Sequence, residues 1–189
     1  MGLPSLAVLL DADRMSSNDL FQPFEATLRD GRTVTIRAIR EHDADRLQAA
    51  IRSLSPDSRY MRFFSPIREL PPQLLNRATH PDGVRELQLV AVVPAEGGDQ
   101  IVAGARYAAT DAEGDCEFAV AVVDAWHGVG LARRMLESLM QAARVRGFRR
   151  MEGYILATNV PMLGLAERLG FTAVRSPEGP SVRLLRCDL

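Results

Sequence analysis

Lysine is absent from this chain: all 23 basic residues are arginine. The molecule therefore carries no side-chain ammonium group. Cysteine is nearly as scarce, with Cys116 and Cys187 alone and no CxxC pair or Cys/His cluster. That pattern suggests neither a disulfide framework nor a zinc site, so no metal is expected, and it fits a reducing, cytoplasmic setting. An excess of one charge sign is missing too. The 23 basic residues face 24 acidic ones, for a net charge of −1. Nothing in that balance draws the whole molecule to nucleic acid or to an anionic membrane, and neither is expected as a partner. The apolar segment Leu3–Leu10 has no basic residue before it and no small-residue cleavage pattern after it, and it is too short to span a bilayer. Residues 1–23 are expected to be a tail or a surface-packing segment.

What is present is ordinary for a globular domain: 189 residues, 47% hydrophobic and 25% charged. Phe24–Arg29 and Thr33–Ile39 alternate like strands around Asp30-Gly31, a hairpin turn signal. Asp43–Leu54 has apolar residues at helical spacing, Ser55 is placed to cap a helix over Pro56–Phe64, and Pro71-Pro72 opens another running to about Thr79. Three strand-like runs follow, Leu87–Val93, Ile101–Ala108 and Cys116–Val123, joined by glycine- and aspartate-rich loops. Val129–Arg146 is an amphipathic helix with Leu131, Met135, Leu136, Leu139, Met140 and Ala143 on one face and Gly147 at its end. Arg150–Leu156 reads as a strand, Asn159–Leu169 as a helix, and Phe171–Arg175 and Ser181–Arg186 as closing strands. The order predicts one α+β domain over residues 24–189, with a mixed, mostly antiparallel sheet flanked by helices.

The richest stretch is Val122-Val123-Asp124-Ala125-Trp126-His127-Gly128-Val129-Gly130-Leu131-Ala132-Arg133-Arg134. A strand ends, a glycine turn follows and a long helix begins. Free first-turn N–H groups and the positive end of the helix dipole make such a terminus an anion site. Gly128 and Gly130 let an anion approach the backbone, and Arg133 and Arg134 add positive charge where acidic residues are usual. The spacing predicts phosphate binding.

His127-Gly128-Val129-Gly130-Leu131-Ala132 resembles the Gln/Arg-x-x-Gly-x-Gly/Ala signature of the GNAT superfamily of N-acetyltransferases, with His in the first place. Asn159 through Gly170-Phe171 resembles the second conserved stretch of that family. The likeness covers most of the chain by element order and residues 116–171 by motif. It implies a GNAT fold, acetyl-CoA as acyl donor, pantetheine amides paired with the backbone of Val122 and Val123, and pyrophosphate held by the amides of Val129 to Arg134. It also implies a pantetheine contact for Asn159, which on its own reads as a helix cap.

Acetylating an amine requires a neutral nucleophile, a donor to the developing oxyanion and an exit for the thiolate. Where many GNAT enzymes place a tyrosine as proton donor, this chain has Ala166, and Tyr154 is the nearest substitute. Glu117 is the better candidate for a general base. Alternation puts it with Ala119, Ala121 and Val123 on one strand face, where small neighbours leave room for substrate and burial would raise its pKa.

On the acceptor side, Leu54 through Phe64 and Cys116 through Val120 are similar to segments of bacterial GNAT domains that acetylate protein lysines, so Arg59, Tyr60 and Arg62 become candidates to line the acceptor. Two functions follow. One is transfer of an acetyl group from acetyl-CoA to an amine, a protein lysine or a small molecule. The alternative, favoured by Ala166, is a degenerate acyl-CoA-binding regulatory module.

Overall fold

The computed structural model describes residues 21–189. Most of the expected tail, residues 1–20, lies outside the described residues. The strands are β1 (Phe24–Thr27), β2 (Thr33–Ala38), β3 (Glu86–Ala95), β4 (Gly98–Ala109), β5 (Asp115–Val122), β6 (Arg150–Leu156), β7 (Thr172–Val174) and β8 (Val182–Asp188). They form one sheet in the order β1-β2-β3-β4-β5-β6-β8-β7. Every neighbouring pair is antiparallel except β5 and β6, which run parallel.

Among the described residues five α-helices flank the sheet: α1 (Ala44–Ser53), α2 (Pro56–Phe63), α3 (Pro72–Thr79), α4 (Leu131–Val145) and α5 (Val160–Arg168). The expected apolar stripe of α4 is buried along its whole length, against even-numbered side chains of β5 such as Cys116, Phe118 and Val122. Ala166 of α5 and Phe171 join the same core. The opposite face carries α1 to α3 over a second core of Leu47, Ile51, Leu70, Val90 and Ile101. A buried ion pair fixes the entry to α1: Asp43 accepts from Arg37 Nη1 at 2.6 Å and Nη2 at 3.0 Å, and from the Arg40 N–H at 2.8 Å.

Several boundaries differ from expectation: β3 and β4 extend to Ala95 and back to Gly98, shortening their loop, and two shifts lie near the site. Helix α4 begins at Leu131 rather than Val129, because Gly128 (φ 77°) and Gly130 (φ 90°) adopt left-handed backbone that cannot continue a helix. The strand expected over Phe171–Arg175 narrows to Thr172–Val174, since Phe171 is drawn into the core and its N–H closes on the Ala166 carbonyl.

Candidate active site

The sheet opens at its one parallel seam. Strands β5 and β6 pair only at Asp115↔Arg150, Cys116↔Met151 and Glu117↔Glu152, and β5 then continues to Val122 without β6 beside it. A wedge marks the parting point. The Phe118 ring lies against Gly153, where a Cβ would fall 2.4 Å from a ring carbon, and stacks edge-on to Phe171 at 5.0 Å.

The open edge of β5 offers unpaired backbone. The Val123 N–H donates to the Val102 carbonyl at 2.9 Å, so the odd-numbered residues of β5 make the ladder with β4. The N–H and C=O groups of Val120 and Val122 therefore point towards the parted side. Of the two residues expected to offer backbone there, Val122 points its N–H to the parted side, whereas the Val123 N–H is taken up by Val102; Val120 points to the parted side as well. His127 Nε2 donates to the Val122 carbonyl at 2.8 Å, which fixes the ring as its Nε2–H tautomer in this contact.

The glycine turn lies at the end of this edge. The first bond inside α4 runs from the Arg134 N–H to the Gly130 carbonyl at 3.1 Å. The amides of Leu131, Ala132 and Arg133 precede it and have no acceptor within the helix. The Arg134 amide, expected to belong to the cradle, is committed to the Gly130 carbonyl. A Cβ on Gly128 would meet nothing within 4 Å, so that side of the loop is open to an incoming group. Arg133 pairs with Glu137 at 2.9 Å, one turn further along. Asn159 Oδ1 accepts from the Met162 N–H at 3.2 Å, so this residue caps α5.

Sequence reading missed the part played by the first hairpin. The Arg29 N–H donates to the Val129 carbonyl at 3.1 Å, and the Arg29 side chain runs beside Gly130. The Arg32 guanidinium stacks on the Trp126 ring at 3.8 Å and donates to the Ala125 carbonyl at 3.2 Å. These contacts span about a hundred residues of sequence (93 between Arg32 and Ala125), so no local signal announces them.

On the other side of β5 lies a cavity of about 220 Å³ between the sheet and α1 to α3. Its sheet wall is made of small residues, Ala103, Gly104, Ala119 and Ala121, and its polar lining is Arg62, Arg77, Arg106 and Gln88. Glu86 accepts from Arg106 at 2.8 Å and also from Arg77. Among the described residues the Arg62 guanidinium has no hydrogen bond or ion pair, and the Phe63 ring lies 4.7 Å from it. Burial and then the charge of Arg106 pull its pKa down to about 10.

Glu117 shares the strand face of Ala119 and Ala121 and stands at the last paired position before the strands part. Its side chain reaches solvent, yet its pKa is raised, first by desolvation and then by Glu152 on the adjoining strand. Glu152 is held by Arg186 at 2.7 Å.

The remaining candidates separate. Arg59 donates to the carbonyls of Arg52 and Leu54 and closes the end of α1. Tyr60 is exposed, and Ala166 is fully buried in the α4-side core. Helix α2 is itself pinned to the glycine turn: Asp124 accepts from the Ser55 N–H at 2.9 Å, the Ser55 hydroxyl at 2.7 Å and the Ser58 hydroxyl at 2.9 Å.

Comparison with known proteins gives the family of this sheet, parted beside a glycine-rich helix start with a cavity behind the parted strand. A model described as an acetyltransferase (GNAT) domain matches residues 33–172, and the chain belongs to that family. Acetyltransferase PA5475 of Pseudomonas aeruginosa is 39% identical over 152 residues, covering 80% of this chain and 82% of that protein. The crystal structure of the GNAT domain of S. lividans PAT matches with a TM-score of 0.81 at 35% identity, over 88% of this chain and 97% of that one. A cAMP-binding acyltransferase from Mycobacterium smegmatis shares the fold, with a TM-score of 0.61 at 23% identity, and this chain covers 53% of its length.

Proposed function

We infer that the protein is an N-acetyltransferase that takes acetyl-CoA as donor and passes the acetyl group to an amine, a protein lysine or a small molecule. One observation carries this reading: the unpaired edge of β5 leads directly into the turn whose α4 amides lack acceptors. The residues present suit such a donor. The backbone of Val120 and the Val122 N–H supply strand-like hydrogen bonds to an amide-bearing arm, while the Val122 carbonyl is held by His127. The Leu131, Ala132 and Arg133 amides, with the positive charge of Arg29 and Arg134 nearby, suit a pyrophosphate. A thioester carbonyl at the parting point would find backbone N–H groups of β5 within reach.

Glu117 takes the proton from the acceptor amine as nitrogen attacks the thioester carbon. The carbon–sulfur bond then breaks and the thiolate leaves, taking a proton from solvent. A thiolate is stable enough to depart without a tyrosine donor, so Ala166 does not by itself favour the degenerate-module reading.

Calorimetry with acetyl-CoA and a thiol-release assay test this together. Gly130→Glu puts a carboxylate into the turn, and Arg134→Glu does so in a first helical turn that tolerates acids well. Both variants, shown folded by thermal melting, should lose most of their acetyl-CoA affinity. Wild-type affinity in both would refute the donor site.

A further inference from the structure

Glu117 and Arg62 are each without a partner among the described residues. They sense one another electrostatically across the same strand face, but they do not pair, although pairing within 4 Å would relieve both. Arg62 lines the cavity, and Glu117 stands on the same face of β5 as Ala119 and Ala121, which line it too, so the cation and the anion give this face a definite polarity. The cavity behind them has no acid in its lining. Arg62 is half-buried with no carboxylate paired to it, so its guanidinium is available to an incoming anion. At about 30 Å³ for each liquid water, about 220 Å³ is space for roughly seven waters, or for an amino acid with a compact apolar side chain.

We propose that the acceptor is a free amino acid with an apolar side chain, its carboxylate on Arg62, its amine at Glu117, and its side chain in the cavity walled by Ala103, Gly104, Ala119 and Ala121. This rests on the acetyltransferase reading above and narrows its acceptor. Arg62 forms a planar, two-pronged contact with the carboxylate. Gln88, whose Nε2 donates to the Leu89 carbonyl at 3.1 Å, lines the same space. The reaction balances without another reactant. The amine nitrogen bonds to the acetyl carbon, its proton passes to Glu117, the C–S bond breaks, and the products are the N-acetyl amino acid and CoA thiol. A lysine side chain, by contrast, would bring a cation towards Arg62 and no anion to meet it.

The test has a turnover arm and a binding arm. In the first, thiol release from acetyl-CoA is compared for leucine, leucinamide and a lysine-containing peptide. The amide has the more readily deprotonated amine, so any preference for leucine is owed to its carboxylate. In the second, calorimetry on CoA-saturated protein compares N-acetyl-leucine with N-acetyl-leucinamide, which needs no turnover. The acid should bind about tenfold or more tightly than the amide, as expected for a charge-assisted, two-pronged contact with a half-buried guanidinium. Arg62→Met should erase that difference while leaving the amide's affinity in place, and Arg62→Lys should restore part of it. Equal affinities in wild type, binding of neither ligand, or a preference that survives Arg62→Met would overturn the proposal. So would a peptide lysine turned over better than leucine, an outcome that leaves acetyl transfer standing. Loss of the acetyltransferase reading would show differently, as no acetyl-CoA binding and no thiol release with any amine.

Discussion

Replacing Ala121 with leucine should make the protein more stable and a poorer enzyme. Ala121 lines the cavity, and the residue directly across from it on β4 is Gly104, so the added side chain has room to enter. The change adds three carbons. At about 0.8 kcal/mol for each buried methylene, the gain is about 2.4 kcal/mol, and lost rotamer freedom removes about 0.5–1 kcal/mol. The net stabilisation is about 1.5 kcal/mol, which for a chain of this size raises Tm by about 3–6 °C. The same leucine occupies the space assigned to the acceptor, so kcat/KM for the amine should fall by about tenfold or more. Acetyl-CoA affinity should stay unchanged, because the donor edge is on the other side of β5. Thermal melting, calorimetry and thiol release report the three quantities separately. A lower Tm with full turnover would refute the reasoning: the cavity would then be filled by rearrangement of its walls and would not hold the acceptor.

Glu117→Gln should keep acetyl-CoA binding and lose about 10²-fold or more in turnover near neutral pH. The base works when ionised, and burial and Glu152 raise its pKa, so wild-type activity is lost as pH falls through that raised value. A Gln variant with the same pH–rate profile as wild type would sink the assignment. Asp124→Ala removes the latch between α2 and the glycine turn and should cost about 1–2 kcal/mol at neutral pH, read by urea denaturation. Against the upward push of desolvation, the Ser55 and Ser58 hydrogen bonds hold the Asp124 pKa down to about 2. Its stabilisation is therefore complete above the unfolded value of about 3.9 and fades as pH falls towards 2, and the gap between variant and wild type should close over that window. Gly153→Ala drives a methyl group into the Phe118 ring and should destabilise by about 1–3 kcal/mol, with unchanged stability counting against the wedge.

Much of the architecture was legible before any coordinates, because local rules governed it. The Ser55 cap, the stripe of α4, and the alternation that separates Cys116, Phe118 and Val122 from Ala119 and Ala121 all depend on residues within a turn or two of one another. The glycine pair of the phosphate turn was equally visible, since it answers to backbone geometry that few other residues tolerate. What the sequence could not express was which groups already had partners. Whether Val122 or Val123 offers its backbone to the open edge depends on the register of β5 against β4, and one residue of shift reverses the answer. Arg59 and Arg62 look alike on α2 and lie one turn apart, yet one closes the end of α1 and the other faces the cavity unpaired. Arg29 and Arg32 reach the glycine turn only because the first hairpin folds back over it. Local chain chemistry determined the elements and the motif. Long-range packing decided which charges are satisfied and which are left free, since a partner distant in sequence is chosen by the fold as a whole.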